Sequence, residues 1–131
     1  MPSVRNYQDL ICWQLAHDLQ CEVWAITASG AVNRDFKFRD QIRDSAASAP
    51  RNMAEGFGRF RRREFARFLE IARGSLTETH NHLRDGLERG YFSESDQARA
   101  GTAGRPRRDR DYTSDSLFKI SEEPRLVSLN L

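Results

Sequence analysis

Lysine is almost absent from this sequence of 131 residues, in which 21 lysines and arginines face 19 aspartates and glutamates. Only Lys37 and Lys119 are lysines, so arginine supplies nearly all of the positive charge. A guanidinium group suits phosphate and carboxylate better than an ammonium group does, although a GC-rich genome produces the same bias without a functional reason. The net charge of +2 does not by itself identify a nucleic-acid-binding protein.

Long apolar runs and cysteines are equally scarce. No purely apolar run is longer than four residues, as in residues 23–26, so the sequence predicts no membrane-spanning helix. The opening residues 1–6 contain no apolar segment typical of a secretory signal. Cys12 and Cys21 are too few for a disulfide framework or a zinc site, and on one helix they would lie about 13 Å apart along its axis. We therefore expect a cytoplasmic protein.

The chain changes character near residue 92. Residues 1–92 contain 39 apolar residues, or 42%, whereas residues 93–131 contain 11 of 39, or 28%. The second segment adds glycines, prolines and a run of charges at residues 105–111, without any sustained period. The total length suits one domain, so we predict a helical bundle domain at 1–92 and a divergent, poorly ordered tail at 93–131.

Three helices are predicted in the first segment, over residues 7–28, 36–57 and 62–89, because apolar residues recur there at intervals of three or four. The middle of the second helix, residues 45–49, contains only serine and alanine, which lets a neighbouring helix come close. The pattern predicts an all-α, up-down bundle of the four-helix-bundle type, in which three long helices are clear and the fourth is degraded or absent.

The first predicted helix carries apolar residues on two sides. One stripe contains Ile11, Leu15, Leu19, Val23 and Ile26, and the other contains Leu10, Trp13, His17, Cys21 and Trp24. An outer helix of a small monomer needs only one apolar stripe, so the second stripe predicts contact with another subunit. We assign Leu10, Trp13, His17 and Trp24 to an oligomer interface. The alternative is that this stripe lies beneath the tail or a loop.

The most basic segment lies around the turn between the second and third helices. Residues 51–67 contain six arginines and two glutamates, a local charge of +4. We assign nucleic-acid binding to the arginines that could contact phosphates electrostatically, namely Arg59, Arg61, Arg62, Arg63 and Arg67. Phe57 and Phe60 offer rings on which a base could stack. The alternative is a solvated turn whose arginines pair with neighbouring carboxylates.

Patterns of catalysis are weak throughout the sequence. His17, His80 and His82 do not form a metal-binding pattern, and no Gly-x-Ser-x-Gly motif is present. Gly56 and Gly58 lack the third glycine and the preceding strand of a dinucleotide-binding loop, and indicate a turn instead. We expect no catalytic residues, no metal and no cofactor, and hence no enzyme.

Several strings of the sequence resemble one known family. YQDL at residues 7–10, SAPRNMAEGFGR at 48–59 and GSLTE at 74–78 are similar to the 23S rRNA intervening-sequence proteins, which are small bacterial four-helix bundles. The resemblance covers about residues 7–92. It departs from the family pattern after Phe92, where the family has its fourth helix.

The resemblance implies an assembly and a class of partner. Members form a homopentameric ring without known catalytic activity, encoded inside intervening sequences of ribosomal RNA genes or by free-standing genes. A similar protein is the accessory variability determinant of diversity-generating retroelements, a basic pentamer that binds a reverse transcriptase and nucleic acid. The resemblance therefore implies a homopentamer whose partners are nucleic acid and a reverse transcriptase or another protein.

A frameshift is one explanation for the divergent tail. The codons allowed for residues 109–119, read one nucleotide later, permit a string that resembles a helix with regularly spaced aliphatic residues. We hypothesise a change of frame between about Glu94 and Arg108.

The sequence thus predicts a non-enzymatic, oligomeric helical-bundle protein that binds the phosphate backbone of RNA or DNA as an accessory or ribonucleoprotein component. The alternative is a structural oligomer that binds a protein partner through the apolar face of its first helix. A third reading is that the frameshifted chain is a decayed gene product without function.

Overall fold

A computed structural model describes residues 4–102, and within this range the chain forms four α-helices and no β-strand. The helices are α1 (Ile11–Thr27), α2 (Phe36–Gly58), α3 (Arg62–Glu88) and α4 (Glu94–Thr102). Two short 3-10 helices, Tyr7–Asp9 and Ala31–Arg34, precede α1 and α2. The all-α bundle is therefore confirmed, and the long helices end within one residue of their predicted bounds, except at the start of α1.

The first helix begins later than its apolar pattern predicts because a capped turn precedes it. The carboxylate of Asp9 accepts hydrogen bonds from the backbone N–H groups of Arg5 and Asn6, at 3.2 and 3.1 Å. Leu10 then takes an extended conformation, with φ −68° and ψ 123°. Because Leu10 lies outside the helix, the helical period does not predict the direction of its side chain. The side chain is fully buried in the core. Its assignment to an oligomer interface was wrong.

The buried side of α1 overlaps the first predicted stripe at Leu19 and Val23 and extends towards the second stripe. Its buried residues are Cys12, Ala16, Leu19, Val23 and Thr27. Ile11, from the first stripe, is exposed, and Trp24, from the second stripe, is exposed on the opposite flank. The helix therefore packs into its own domain through a narrow strip of mostly small residues and leaves larger apolar side chains on both flanks.

The most extensive contact between the described helices joins α2 to α3. The two helices are antiparallel, since Ser45 contacts Thr79 whereas Gly56, further along α2, lies against Phe68. Two hydrogen bonds between side chains cross it, from Ser45 to Thr79 at 2.9 Å and from Ser75 to Ser48 at 2.8 Å. The serine- and alanine-rich middle of α2 therefore permits the close approach that the sequence predicts. Each hydroxyl also finds a partner, so burial here leaves these groups hydrogen-bonded.

One carboxylate joins the start of α2 to the end of α3. Asp35 caps α2 by accepting a hydrogen bond from the backbone N–H of Phe38 at 3.2 Å, and it accepts another from the Tyr91 hydroxyl at 2.6 Å. The guanidinium of Arg89 lies 3.7 Å away. The Tyr91 hydrogen bond and the Phe38 amide hold the pKa of Asp35 below its ordinary value, and the same Tyr91 contact raises the pKa of that phenol.

Residues 94–102, which the sequence analysis assigns to a divergent tail, form the short helix α4 instead. Ser93 and Asp96 make a capping box: the hydroxyl of Ser93 accepts from the Asp96 N–H at 3.0 Å, and the Asp96 carboxylate accepts from the Ser93 N–H at 3.4 Å. Ala100 is fully buried, and Arg99 donates to Glu22 of α1 at 2.8 Å. These contacts compensate for the scarcity of apolar residues. The remainder of the predicted tail, including the string at residues 109–119 on which the frameshift hypothesis rests, lies outside the described residues.

Candidate nucleic-acid interface

The turn between α2 and α3 is short, since Gly58 ends one helix and Arg62 begins the next. The two helices nearly touch beside it. A Cβ atom added at Gly56 would lie only 2.6 Å from the Cβ of Phe68, a distance that real Cβ atoms do not reach. This close approach brings the end of α2 and the start of α3 together, so the arginines on both sides of the turn share one end of the bundle.

Two of the five predicted arginines have carboxylate partners within the protein. Arg59 donates a hydrogen bond to Glu55 at 2.8 Å, and Arg67 lies 3.6 Å from Glu64. The Glu55 contact raises the pKa of Arg59. Both guanidinium groups also lie over the ring of Phe68, 5.4 and 5.0 Å from its centroid. For these two arginines the structure matches the alternative of a solvated turn with paired charges.

The other three predicted arginines, Arg61, Arg62 and Arg63, are exposed. Within residues 4–102 the side chains of these three arginines make no hydrogen bond, ion pair or ring contact. Arg61 is the N-cap of α3 and makes no side-chain capping hydrogen bond. Three consecutive cations therefore lie at the positive end of a helix dipole, where anions are favoured and cations are not. This arrangement attracts an anion to the start of α3.

Phe60 lies in the turn beside these arginines, and its backbone is unusual. Its φ angle is 58°, the only positive value at a non-glycine residue in the described part of the chain. Its side chain is 73% exposed. No ring or guanidinium contact to Phe60 is found within residues 4–102, whereas the exposed Phe36 has the guanidinium of Arg39 at 4.9 Å from its ring centroid. Phe60 is thus a large apolar ring held outside the core in a costly conformation.

Helix α3 also ends in a turn, and there a glycine occupies the corresponding position. Gly90 is the first residue after the C-cap of α3, with φ 75°. Backbone hydrogen bonds from Gly90 to Leu87 at 3.1 Å and from Tyr91 to Gly86 at 2.8 Å complete a Schellman motif. Phe60 is likewise the first residue after the C-cap of α2. The end of α3 therefore shows that glycine suffices for this kind of turn, so the turn after α2 does not require the side chain of Phe60.

Phe57, the second ring proposed for stacking, is placed differently. It is half-buried and packed against the core, with its ring centroid 6.4 Å from that of Phe65. The prediction that both rings are available is therefore correct only for Phe60. Helical spacing alone does not separate the two, because the difference arises from where α2 ends.

The predicted oligomer surface on α1 retains three of its four residues. Trp13 is half-buried and stacks on His17, with 4.8 Å between ring centroids and 8° between ring planes. The edge of Tyr7 meets Trp13 at 5.2 Å, and Cys21 lies 3.7 Å from the His17 ring nitrogen. His17 and Trp24 are exposed. We call Trp13, His17 and Trp24 the α1 surface.

Sequence reasoning missed the support beneath Trp24. The guanidinium of Arg43, from α2, lies 3.8 Å from the centroid of the indole ring. The same guanidinium donates to the hydroxyl and the carbonyl of Thr27, at 2.8 and 3.1 Å, and so caps the end of α1. Burial lowers the pKa of Arg43. Nothing in the helical period of α1 shows this contact, which joins two helices.

Residues 4–102 contain no cluster of three or more histidine, cysteine or acidic side chains placed to hold a metal ion. Within that range no helix has the combination of length and apolar character that crossing a bilayer requires.

Comparison with known proteins decides the family. The family model described as 23S rRNA-intervening sequence protein matches residues 8–102, most of the chain. The chain belongs to this family. No curated protein matches it significantly.

The family match includes the arginine turn and all four helices of the described structure. It extends ten residues beyond Phe92, where the resemblance was predicted to end, and so includes α4. The intervening-sequence protein family is thus recognisable in this chain up to the last residue that the structure describes.

Proposed function

We propose that this protein binds nucleic acid through the end of the bundle where α2 meets α3, as a non-enzymatic accessory component of an RNA or DNA complex in the cytoplasm. The observation that carries the proposal is the group of three consecutive, exposed arginines at the start of α3, which have no partner in the described structure. A phosphate group would supply the anion that this position favours.

The local charges support a phosphate backbone as the ligand. Residues 51–67 carry a charge of +4, and their two carboxylates, Glu55 and Glu64, are engaged by Arg59 and Arg67. The consecutive cations at 61–63 therefore remain for an external ligand. Arginines without partners at one end of a bundle bind by charge, so the proposal specifies the backbone of RNA or DNA and no base sequence.

Assembly would multiply this charge. The resemblance implies a homopentamer, and the α1 surface supplies exposed apolar area for contact between copies, above all Trp24, which is 50% exposed. In a closed ring each copy presents the same arginines, so the positive potential of the group grows with the number of subunits. Binding to a nucleic acid long enough to touch several copies would then be tighter than to a short one.

The direct test is binding of the full chain to a fluorescently labelled RNA, followed by anisotropy. Substitution of Arg61, Arg62 and Arg63 by alanine should abolish binding, while light scattering shows the same mass as the original chain. The matched control replaces Arg34, Lys37 and Arg84, which are exposed charges near the opposite end of the bundle. The control should bind normally. Full binding by the first variant would contradict the proposed site.

A second candidate function rests on the α1 surface. The half-exposed indole of Trp24, held in place by Arg43, is a typical anchor for another protein. On this view the protein is a structural oligomer that binds a protein partner, such as a reverse transcriptase, through α1. Salt separates the two functions, because an apolar contact keeps its strength at salt concentrations that weaken phosphate binding.

A further inference from the structure

We infer that the arginine turn selects unpaired nucleotides, with Phe60 as the platform on which one base stacks. This inference rests on the proposed function and specifies its ligand. The arginines hold phosphates, which single strands and duplexes share. The ring of Phe60 adds a contact that only an exposed base face can make.

The position of the Phe60 ring favours contact with a bound strand. Phe60 lies directly between Arg59 and Arg61 in the chain, and its side chain is 73% exposed. A strand whose phosphates contact the arginines at 61–63 would pass within reach of this ring. An aromatic face beside phosphate-binding cations is the arrangement with which proteins bind single strands with little preference for sequence.

The backbone conformation of Phe60 also favours a role in binding. Phe60 has a φ of 58°, in the left-handed region that favours glycine, and Gly90 occupies the corresponding position at the end of α3. The turn does not need a ring to form. An exposed phenylalanine with no ring or guanidinium contact in residues 4–102 adds little stability to offset this strain, so we infer that the side chain contributes by contact with a ligand.

Phe36, the second exposed phenylalanine in residues 4–102, is placed differently. Phe36 begins α2, and Phe60 follows its end, so the two rings lie at opposite ends of a helix of 23 residues, about 35 Å long at 1.5 Å per residue. The ring of Phe36 already has Arg39 over its face. Phe60 has no such contact within the described residues, although four of the predicted arginines lie within three positions of it in the sequence. Its face is open to a ligand.

A regular duplex offers no comparable surface. Its base faces are stacked within the helix, and only the backbone and the groove edges are accessible. Phe60 would then gain nothing from binding along a duplex, whereas an unpaired stretch, a loop or a bulge leaves base faces available. The expected ligand class is therefore single-stranded nucleic acid or an unpaired segment within a folded RNA.

The test compares one labelled RNA strand of mixed sequence with the same strand annealed to its complement, using the full chain. The original protein should bind the single strand more tightly than the duplex. The substitution Phe60→Asn removes the ring and introduces a residue that tolerates a positive φ. It should weaken single-strand binding by roughly 5- to 150-fold. The substitution Phe60→Trp should retain that binding, and Phe36→Asn is the matched control that should leave it unchanged.

The outcomes separate the two levels of the proposal. If Phe60→Asn binds the single strand as tightly as the original protein, or if the original protein binds strand and duplex equally, the stacking inference is overturned while phosphate binding stands. If Phe60→Asn weakens strand and duplex alike, the ring does not select unpaired bases. Absence of salt-sensitive binding to either RNA contradicts the proposed function and the inference together.

Discussion

Phe60 and Gly90 occupy equivalent positions at two helix ends. Each is the first residue after a C-cap, the former following α2 and the latter following α3, and each has a positive φ, 58° and 75°. The fold thus makes the same kind of turn twice, once with the residue that suits it and once with an exposed phenylalanine. The difference lies at the end of the bundle that carries the arginines.

Replacing Phe60 with glycine should make the protein more stable. Relief of the left-handed strain, offset by the greater freedom of glycine in the unfolded chain, should raise the free energy of unfolding by about 0.5–1 kcal/mol. Urea unfolding followed by circular dichroism measures this change. Gly90→Ala is the control and should lower stability by about 1 kcal/mol, because it introduces the same strain. A loss of stability in Phe60→Gly would mean that the ring packs on the fold.

Release of Arg59 should strengthen nucleic-acid binding. Glu55 holds Arg59 at 2.8 Å, and Glu55→Gln removes a negative charge beside the arginine turn. The affinity for RNA should rise by about 2- to 5-fold at low salt, as is typical for one exposed charge near a charged ligand. Glu88→Gln is the matched control, since Glu88 lies 3.3 Å from Arg84 near the opposite end of α3. Equal effects of both substitutions would show that only the total charge matters.

The contact between α2 and α3 should depend on Gly56. A methyl group there would overlap Phe68, so Gly56→Ala should lower the free energy of unfolding by about 1–3 kcal/mol. At Gly74, inside α3, an added Cβ meets nothing within 4 Å. Gly74→Ala should therefore raise stability by about 0.5–1 kcal/mol through helix propensity alone. Denaturant unfolding of both variants checks the pair, and a stable Gly56→Ala protein would contradict the close approach.

The two cysteines should differ in reactivity. Cys12 is buried, and burial raises the pKa of its thiol to about 11, whereas Cys21 is exposed. A thiol reagent at pH 8 should label Cys21 in the native protein and Cys12 only after unfolding. Cys21→Ser should abolish the native reaction, and Cys12→Ala should leave it intact. Equal labelling rates for both thiols would contradict the packing of α1.

The same pKa predicts a dependence of stability on pH. In the unfolded chain the pKa of the Cys12 thiol has its ordinary value of 9.0, whereas in the folded chain it is about 11. The contribution of this group is therefore complete below pH 9 and is lost as the pH rises towards 11, by up to about 3 kcal/mol. Cys12→Ala should remove this part of the alkaline loss of stability, and an unchanged pH profile would contradict it.

Much of the fold follows from periodicity, and the exceptions have local causes. The spacing of apolar residues located α2 and α3 to within one residue because these helices bury a continuous stripe. It misplaced Leu10 because the chain leaves the helical conformation there. It missed α4 because Ala100 is the only buried residue among residues 94–100, although Ser93 and Asp96 have the spacing of a capping box.

The candidate site was likewise only partly predictable from the sequence. Composition located the arginine turn, since charge density is visible in the sequence. Which arginines are engaged by Glu55 and Glu64 depends on helix phase and on where the turn falls, so the structure was needed to single out residues 61–63. The positive φ of Phe60 has no counterpart in the sequence, because nothing in a Gly-Arg-Phe-Arg string marks phenylalanine as the residue in that conformation.

The most direct test of the account is the salt dependence of binding to a single-stranded RNA. If the three arginines at 61–63 make the phosphate contacts, the plot of log affinity against log salt should have a slope of about −2 for each bound chain. The Arg61→Ala, Arg62→Ala, Arg63→Ala variant should lose that slope together with its affinity. Binding that does not change with salt, or that persists with the same slope in the triple variant, would contradict the central claim that these arginines grip the nucleic-acid backbone.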